Sequence, residues 1–275
     1  MYPADHGSYA MGAVGDGTVG VLDARRGGPA ERFASRFHGR HPAMVFVTAL
    51  LGGFALLALV SILCGLLVTD VLVRSGGLGG DDEGFVHDLV AERTPFLTDA
   101  SFVGSTIGGA PVLPILVGLV AIVCAFMRKW RIAAFAVFVL VVESATYRLT
   151  SIVVPRERPD VPRLEDLPAD ASYPSGHTAA AIAVYAGLVL LLASRFKSRG
   201  ARTLLWLAAI LLPVVVALSR MYRGMHHPLD VAGGLVVGIG ALIVLLFACR
   251  AAGAAAEAHA SAPAQRRERS RTAVA

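Results

Sequence analysis

Long uncharged apolar runs alternate along the chain with short segments in which the charged residues are concentrated. The first run, residues 43–69, has no charged side chain over 27 residues, and a helix needs roughly 20 residues to cross the hydrocarbon core of a bilayer. The same pattern predicts an all-α, polytopic membrane protein with a bundle of six transmembrane helices. The predicted spans are residues 43–69, 110–127, 132–154, 178–194, 203–218 and 229–249.

The segments outside these spans lack apolar periodicity. Residues 1–42 are rich in Gly, Ala, Arg and His, and we predict a disordered tail there. The first apolar run begins too late and is too long for a cleaved signal peptide, so we expect an uncleaved anchor. Residues 70–109 carry glycines and an acidic run at Asp81–Glu83, which indicates an extramembrane loop with some local helix. Residues 250–275 are Ala-rich and then basic, which favours a flexible tail.

Composition agrees with a membrane protein, because 55% of the residues are hydrophobic and only 16% are charged. The net charge of +5 does not indicate nucleic-acid binding, since the basic residues flank the spans and are not interleaved with aromatics on one face. The three cysteines, Cys64, Cys124 and Cys249, all fall in apolar runs. We interpret them as small buried residues, not as a disulfide or metal site.

The distribution of basic residues predicts the orientation. Of the 25 Lys and Arg residues, 17 fall on the side that holds both termini, so the positive-inside rule predicts cytoplasmic termini. Six of the remaining 8 lie in or beside two loops on the opposite side, where they oppose the charge bias; they are Arg148, Arg156, Arg158, Arg163, Arg220 and Arg223.

The loop before the fourth predicted span ends in Pro174-Ser175-Gly176-His177. Ser175 is a suitable N-cap, and Gly176 allows a ligand to approach the backbone closely. His177 falls in the first helical turn, where it can donate a proton to an anion bound at the helix N-terminus. An ordinary capped helix explains these three residues equally well when they are taken alone.

The loop before the sixth predicted span contains His226 and Asp230. On a continuous helical turn, residues four apart share a face, so the carboxylate can hold one imidazole nitrogen and make the other more nucleophilic. Pro228 suits the first turn of the helix that follows. A surface ion pair is the alternative for this spacing in isolation.

Taken together, three segments resemble the signature of the type 2 phosphatidic acid phosphatase superfamily, which vanadium haloperoxidases share. The segments are Arg158-Pro159, then Pro174-Ser175-Gly176-His177, and then Ser219-Arg220 followed by His226 and Asp230. The resemblance covers about residues 81–249, including the layout of six spans. The loops 151–177 and 219–230 would then form one active site within a lipid phosphatase domain at residues 43–249.

The resemblance implies a role for each matching residue. His226 would attack phosphorus to form a phosphohistidine, with Asp230 orienting it, and His177 would protonate the leaving oxygen and then activate water. The phosphoryl oxygens would be bound by Arg158, Arg220, Ser175 and Gly176. No metal ion and no other cofactor is implied, because fixed cations and dipoles supply the positive charge.

One position departs from the family pattern. The pattern has a lysine seven residues before the arginine of Arg158-Pro159, and Ser151 occupies that position here. Arg148 or Arg156 could supply the missing charge from a different backbone position. Glu143 lies near the middle of the third predicted span, where an ionisable group is costly, and we favour a structural role for it over a direct catalytic one.

These observations lead to a hypothesis of function. We expect a multi-pass enzyme of the cytoplasmic membrane that hydrolyses a lipid phosphate at its extracytoplasmic face. Phosphatidic acid, phosphatidylglycerol phosphate and an isoprenyl diphosphate such as undecaprenyl diphosphate all fit, and the outward-facing site favours the last. Phosphotransfer to another acceptor, and a non-catalytic protein that binds lipid phosphate, remain as alternatives. A haloperoxidase is disfavoured because those relatives are soluble.

Overall fold

The computed structural model describes residues 20–75, 77–193 and 195–272, and its regular structure consists of helices. They are α1 (Pro29–Ser35), α2 (Pro42–Leu66), α3 (Gly79–Ala91), α4 (Pro95–Ile107), α5 (Val112–Phe126), α6 (Trp130–Val153), α7 (Gly176–Ala181), α8 (Gly187–Ala193), α9 (Arg199–Tyr222) and α10 (Pro228–Thr272). A short 3-10 turn, Gly20–Leu22, precedes α1. Two π-helical segments, Leu67–Val73 and Ile182–Ala186, extend α2 and join α7 to α8.

Six helical stretches of the described chain are long and apolar enough to cross a membrane, which confirms the predicted all-α fold with six spans. They are Pro42–Val73, Pro95–Phe126, Trp130–Val153, Gly176–Ala193, Arg199–Tyr222 and Pro228–Ser261. Large apolar side chains such as Leu51, Leu56 and Leu63 are more than half exposed on these helices. A bilayer would cover such side chains, since lipid tails are as apolar as leucine.

The second span begins earlier than predicted. The segment 70–109 was expected to be a loop with some local helix, and the structure has two full helices there, α3 and α4. Thr94 caps α4, because its hydroxyl accepts a hydrogen bond from the Leu97 N–H at 3.2 Å, and Pro95 suits the first helical position. The span Pro95–Phe126 therefore contains α4 and α5, with a break between Ile107 and Val112.

The structure also differs from the prediction of disordered tails. Residues 1–19 lie outside the described residues, but α1 is helical and packs on the far part of α10 through Ala30, Ala34, Ala251 and Ala255. Helix α10 continues to Thr272 instead of ending near residue 249. The Ala-rich composition explains this extension, since alanine has the highest helix propensity of all residues.

Helix α10 lies at the centre of the bundle and packs against α1, α2, α6 and α7. The main apolar core forms where α2, α6 and α10 meet, with Phe135, Val139, Ala241 and Leu245 all buried. Small residues permit close helix contacts elsewhere, as is common in membrane bundles. A Cβ atom on Gly104 of α4 would lie 2.1 Å from the Ser219 hydroxyl of α9. This contact seats α4 against the end of α9, while the start of α7 packs on α10.

We expect Gly238→Ala to lower the thermal unfolding midpoint in detergent. A Cβ atom at this position of α10 would lie 2.7 Å from the carbonyl oxygen of Ala179, so α7 would have to move away. Overpacking of this kind costs on the order of 1–3 kcal/mol. Gly118→Ala in α5 is the matched control, because nothing lies within 4 Å of its added Cβ. A Gly238→Ala midpoint at or above that of the control would contradict this account.

Candidate active site

A cavity of about 290 Å³ lies among α5, α6, α7 and α9 and the loops that precede α7 and α10. Five of the residues predicted for the site line it, namely Arg158, Gly176, His177, Arg220 and His226. The remaining lining residues are Gly108, Gly109, Ala110, Leu113, Pro114, Leu140, Glu143, Ser144, Tyr147, Leu167 and Ala180. The structure thus brings cations and both histidines together at one cavity that extends into the helix bundle.

His226 lies in the loop just before α10 and is held through its Nδ1 atom. That atom is 2.8 Å from the carbonyl oxygen of Ser172 and 3.8 Å from Oδ2 of Asp230. A carbonyl oxygen can only accept, so Nδ1 carries the hydrogen and Nε2 keeps its lone pair. Burial lowers the pKa of His226 to about 4, and Arg220 and Arg158 act in the same direction against the opposing effect of Asp230. The imidazole is therefore neutral at pH 7.

Asp230 contacts His226 less directly than predicted. Its fully buried carboxylate accepts from the Ser172 hydroxyl at 2.6 Å and from the His227 N–H at 2.8 Å. Arg156 donates to its other oxygen. Since the Ser172 carbonyl is the closer acceptor for His226, Asp230 orients the histidine mainly by fixing Ser172.

The two arginines proposed to replace the missing lysine lie elsewhere. Arg156 is buried between the carboxylates of Asp230 and Asp82 and does not line the cavity. Arg148 is exposed on α6. Ser151, at the position of the lysine, donates its hydroxyl to the Arg148 carbonyl oxygen at 3.0 Å. The structure therefore brings none of these three side chains to the cavity wall.

Arg220 is the most deeply buried cation of the site, with 0% of its surface exposed. Its Nη1 donates to Oε2 of Glu165 at 2.6 Å and to the Ser105 hydroxyl at 2.7 Å. Its Nε and Nη2 have no hydrogen-bond partner among the described residues. These two nitrogens form one edge of the guanidinium group, the edge that binds carboxylate or phosphate with two parallel hydrogen bonds.

Glu165 is a site residue that the sequence analysis missed. Besides Arg220, it accepts a hydrogen bond from Nε of Arg223 at 2.6 Å. Burial alone would raise the pKa of Glu165, but the two arginines lower it to about 2. Glu165 is therefore ionised and holds Arg220 by one side. No local spacing indicated this role, because Arg220 and Arg223 lie 55 and 58 positions after Glu165 in the chain.

Arg158 connects three segments of the surrounding loops. Its Nε donates to the Pro168 carbonyl oxygen at 2.8 Å and its Nη2 to that of Ala171 at 2.9 Å. Its Nη1 donates to the carbonyl oxygen of Met225, the residue before His226. Arg158 thus lines the cavity and also fixes the loop that carries His226.

The start of α7 differs in detail from the predicted cradle. The Ser175 side chain makes no cap to the helix backbone; its hydroxyl lies 2.9 Å from that of Thr178 and is buried. Gly176 and His177 face the cavity. A Cβ atom on Gly109 would lie 2.5 Å from Nε2 of His177. Any side chain at position 109 would therefore clash with the imidazole of His177.

Two acidic residues of α3, Asp82 and Glu83, contact the loops that carry the predicted site; the sequence had suggested no role for them. Asp82 accepts from the Leu229 N–H at 3.0 Å, at the first turn of α10, as well as from Arg156. Glu83 lies 2.9 Å from Nε2 of His227. The acidic run at 81–83 was the available signal. Within residues 20–75, 77–193 and 195–272, no three His, Cys, Asp or Glu side chains are grouped to bind a metal ion.

We expect the stability of the protein to fall as the pH rises above neutrality, and His227 to be one cause. Burial alone would lower the pKa of His227, but Asp230 and Glu83 raise it above the usual value. The folded state thus holds this proton more tightly than the unfolded chain. The stabilisation is complete below the unfolded pKa of about 6.5 and is lost as the pH rises through the folded pKa.

The measurement is the thermal unfolding midpoint in detergent between pH 6 and pH 9. His227→Gln should flatten the pH dependence, whereas the exposed His87 of α3, changed in the same way, should leave it as in the parent. Equal slopes in the parent and in His227→Gln would show that this imidazole does not couple to folding.

Arg156→Met is expected to destabilise the fold strongly, because it leaves the carboxylates of Asp82 and Asp230 buried without their cation. Removing one partner from a buried ion pair costs about 3–5 kcal/mol. Arg148→Met, at the exposed arginine of α6, should shift the unfolding midpoint little. If both variants unfold at the same temperature, the assigned pairing is wrong.

Comparison with known proteins identifies the family. Residues 132–252 match the PAP2 superfamily, and this region includes Arg158, His177, Arg220 and His226 of the cavity. The chain is 43% identical over 75 residues to an undecaprenyl-diphosphatase from Sulfolobus acidocaldarius, covering 27% of this chain and 32% of the relative. It is 35% identical over 121 residues to decaprenylphosphoryl-5-phosphoribose phosphatase from Mycobacterium tuberculosis, covering 42% and 60%.

The matched stretches thus span about a third and about three fifths of these two relatives. Among solved structures, the fold is similar to that of a transmembrane PAP2-type phosphatidylglycerolphosphate phosphatase from Bacillus subtilis. The TM-score is 0.58 at 23% identity, over 74% of this chain and 93% of that chain. The chain is a multi-pass membrane protein with a PAP2 superfamily domain over residues 132–252, and the relatives that it matches are lipid phosphatases.

Proposed function

We propose that the chain is an integral membrane phosphatase that hydrolyses the phosphate or diphosphate ester of a lipid through a phosphohistidine intermediate on His226. One observation carries this proposal. The cavity contains a neutral imidazole whose Nε2 keeps its lone pair and, beside it, the unpartnered edge of Arg220. A nucleophile and a site for a tetrahedral anion are the two parts that phosphoryl transfer requires.

Arg220 is the principal ligand of the phosphoryl group. Buried donors without partners cost free energy, so a group with two acceptor oxygens stabilises Nε and Nη2 when it binds. Glu165 keeps the guanidinium from turning, because it holds Nη1 from the opposite side. Arg158 adds positive charge at the same cavity, and Gly176 lets the backbone approach the oxygens closely.

In the first step, Nε2 of His226 attacks phosphorus and the bond from phosphorus to the leaving lipid oxygen breaks. His177 donates a proton to that oxygen. The imidazole ring becomes positively charged as the N–P bond forms. The Ser172 carbonyl, which accepts from Nδ1 at 2.8 Å, and the Asp230 carboxylate stabilise this charge.

In the second step, His177 takes a proton from a water molecule, whose oxygen attacks the phosphohistidine. The N–P bond breaks, inorganic phosphate leaves, and His226 returns to its neutral form. The same histidine serves as acid and then as base, which returns the site to its starting protonation state.

The proposed location is the extracytoplasmic face of the cytoplasmic membrane, and the distribution of Lys and Arg supports it. A lipid substrate would arrive laterally, with its headgroup in the cavity and its tail in the bilayer. Phosphatidic acid, phosphatidylglycerol phosphate and isoprenyl diphosphates are the candidate classes. The names of the Sulfolobus and Mycobacterium relatives specify polyprenyl lipids, which supports an isoprenoid tail.

The decisive experiment is a phosphate-release assay of the purified protein in detergent with a panel of lipid phosphates and no added metal. His226→Ala should lose at least about a thousandfold in kcat, as expected when a nucleophile is removed. His87→Ala, at an exposed histidine, is the matched control and should retain the parent activity. Activity that persists in His226→Ala would contradict the proposed phosphohistidine mechanism.

Product analysis distinguishes hydrolysis from phosphotransfer in the same assay. Inorganic phosphate released in proportion to the substrate consumed supports hydrolysis. A deficit of phosphate together with a new phosphorylated acceptor would instead indicate a transferase that uses the same nucleophile.

A further inference from the structure

Glu143 is a buried carboxyl group that the mechanism above does not use. It lies near the middle of α6, and only 1% of its surface is exposed. Its Oε2 accepts from the hydroxyl of the neighbouring Ser144 at 3.0 Å. Its Oε1 has no hydrogen-bond partner among the described residues. A buried acceptor without a partner destabilises the fold, so its presence indicates a role in binding or catalysis.

Glu143 lines the same cavity as His177, Arg158 and Arg220, so a bound substrate can reach its carboxyl group. Leu113 of α5, Leu140 of α6 and Ala180 of α7 are among the other lining residues. Ser144 and Tyr147 also line the cavity, and Glu143 is the one acidic side chain among its described lining residues.

The arginines offer a phosphoryl group the fixed positive charge that Glu143 lacks. The phosphate belongs with the arginines. The atoms that extend from it into the rest of the cavity are those of the leaving alcohol, which His177 protonates. A hydroxyl on that alcohol is the donor that an unpartnered carboxyl oxygen requires.

We propose that Glu143 determines specificity by accepting a hydrogen bond from a hydroxyl group close to the ester oxygen of the leaving alcohol. The inference rests on the proposed function and narrows its substrate class. The preferred substrates are lipids whose phosphate is carried by a polyol or a sugar. A bare isoprenyl diphosphate has no such hydroxyl and leaves Oε1 unpaired.

Two substrates that differ by one hydroxyl test this directly. They are 1-acylglycerol 3-phosphate and 1-acylpropane-1,3-diol 3-phosphate, with the same acyl chain and the same phosphate. A site built to bind a hydroxyl discriminates strongly against the analogue that lacks it. We therefore expect the parent protein to favour the glycerol compound by at least about tenfold in kcat/KM.

The ratio of the two kcat/KM values is then measured in variants. Glu143→Met removes the acceptor at similar volume, and the ratio should fall to near one. Glu143→Gln keeps a carbonyl oxygen and should retain most of the preference. A merely structural role would lower both kcat/KM values together and leave their ratio unchanged.

The outcomes separate the inference from the proposed function. A parent ratio near one, or a preference that survives in Glu143→Met, overturns the role of Glu143 while hydrolysis itself stands. Hydrolysis of isoprenyl diphosphate by the parent, with neither glycerol-type compound accepted, also overturns it. If no lipid phosphate is hydrolysed at all, the proposed function fails and the inference with it. Should Glu143→Met not fold, the parent ratio and Glu143→Gln decide.

Discussion

The buried carboxylate of Asp230 holds together the loops beside the cavity. The Asp230 carboxylate is fully buried, and burying a charge is very costly unless it is paired and hydrogen-bonded. Its donors are Arg156 and Ser172, both in the loop between α6 and α7, and His227 in the loop before α10. Through Arg156 the network reaches α3. The pairing of one buried charge therefore joins the loop after α6, the start of α10 and helix α3.

Each buried arginine near the cavity is paired with carboxylates or with carbonyl oxygens. Arg156 is neutralised by two carboxylates, and Glu165 neutralises Arg220 and Arg223 from one side. Arg158 is surrounded by carbonyl oxygens instead. Among the described residues, Nε and Nη2 of the fully buried Arg220 have no hydrogen-bond partner. For the proposed phosphoryl transfer the site is preorganised, because Ser105 and Glu165 already hold Arg220 through its Nη1.

The six spans could be predicted because hydrophobicity is read from neighbouring residues. The hydrogen-bond partners in the site could not, because they depend on contacts between distant parts of the chain. The expected bond from Asp230 to His226 assumed a continuous helical turn, but α10 begins at Pro228, two residues after His226. The imidazole therefore finds the Ser172 carbonyl first. Glu165 and Asp82 could not have been assigned by spacing, since their partners are tens of residues away. The resemblance of motifs predicted five residues that line the cavity, but not the acidic side chains that contact them.

The interruption of the second span between Ile107 and Val112 has a consequence for the bilayer itself. Inside a membrane, backbone that is not helical is tolerated only where protein buries it or where it borders an aqueous space. Here the interrupted residues Gly108, Gly109 and Ala110 border the cavity beside His177. In the proposed reaction, this non-helical break is where water, the second reactant, reaches His177 from the cavity.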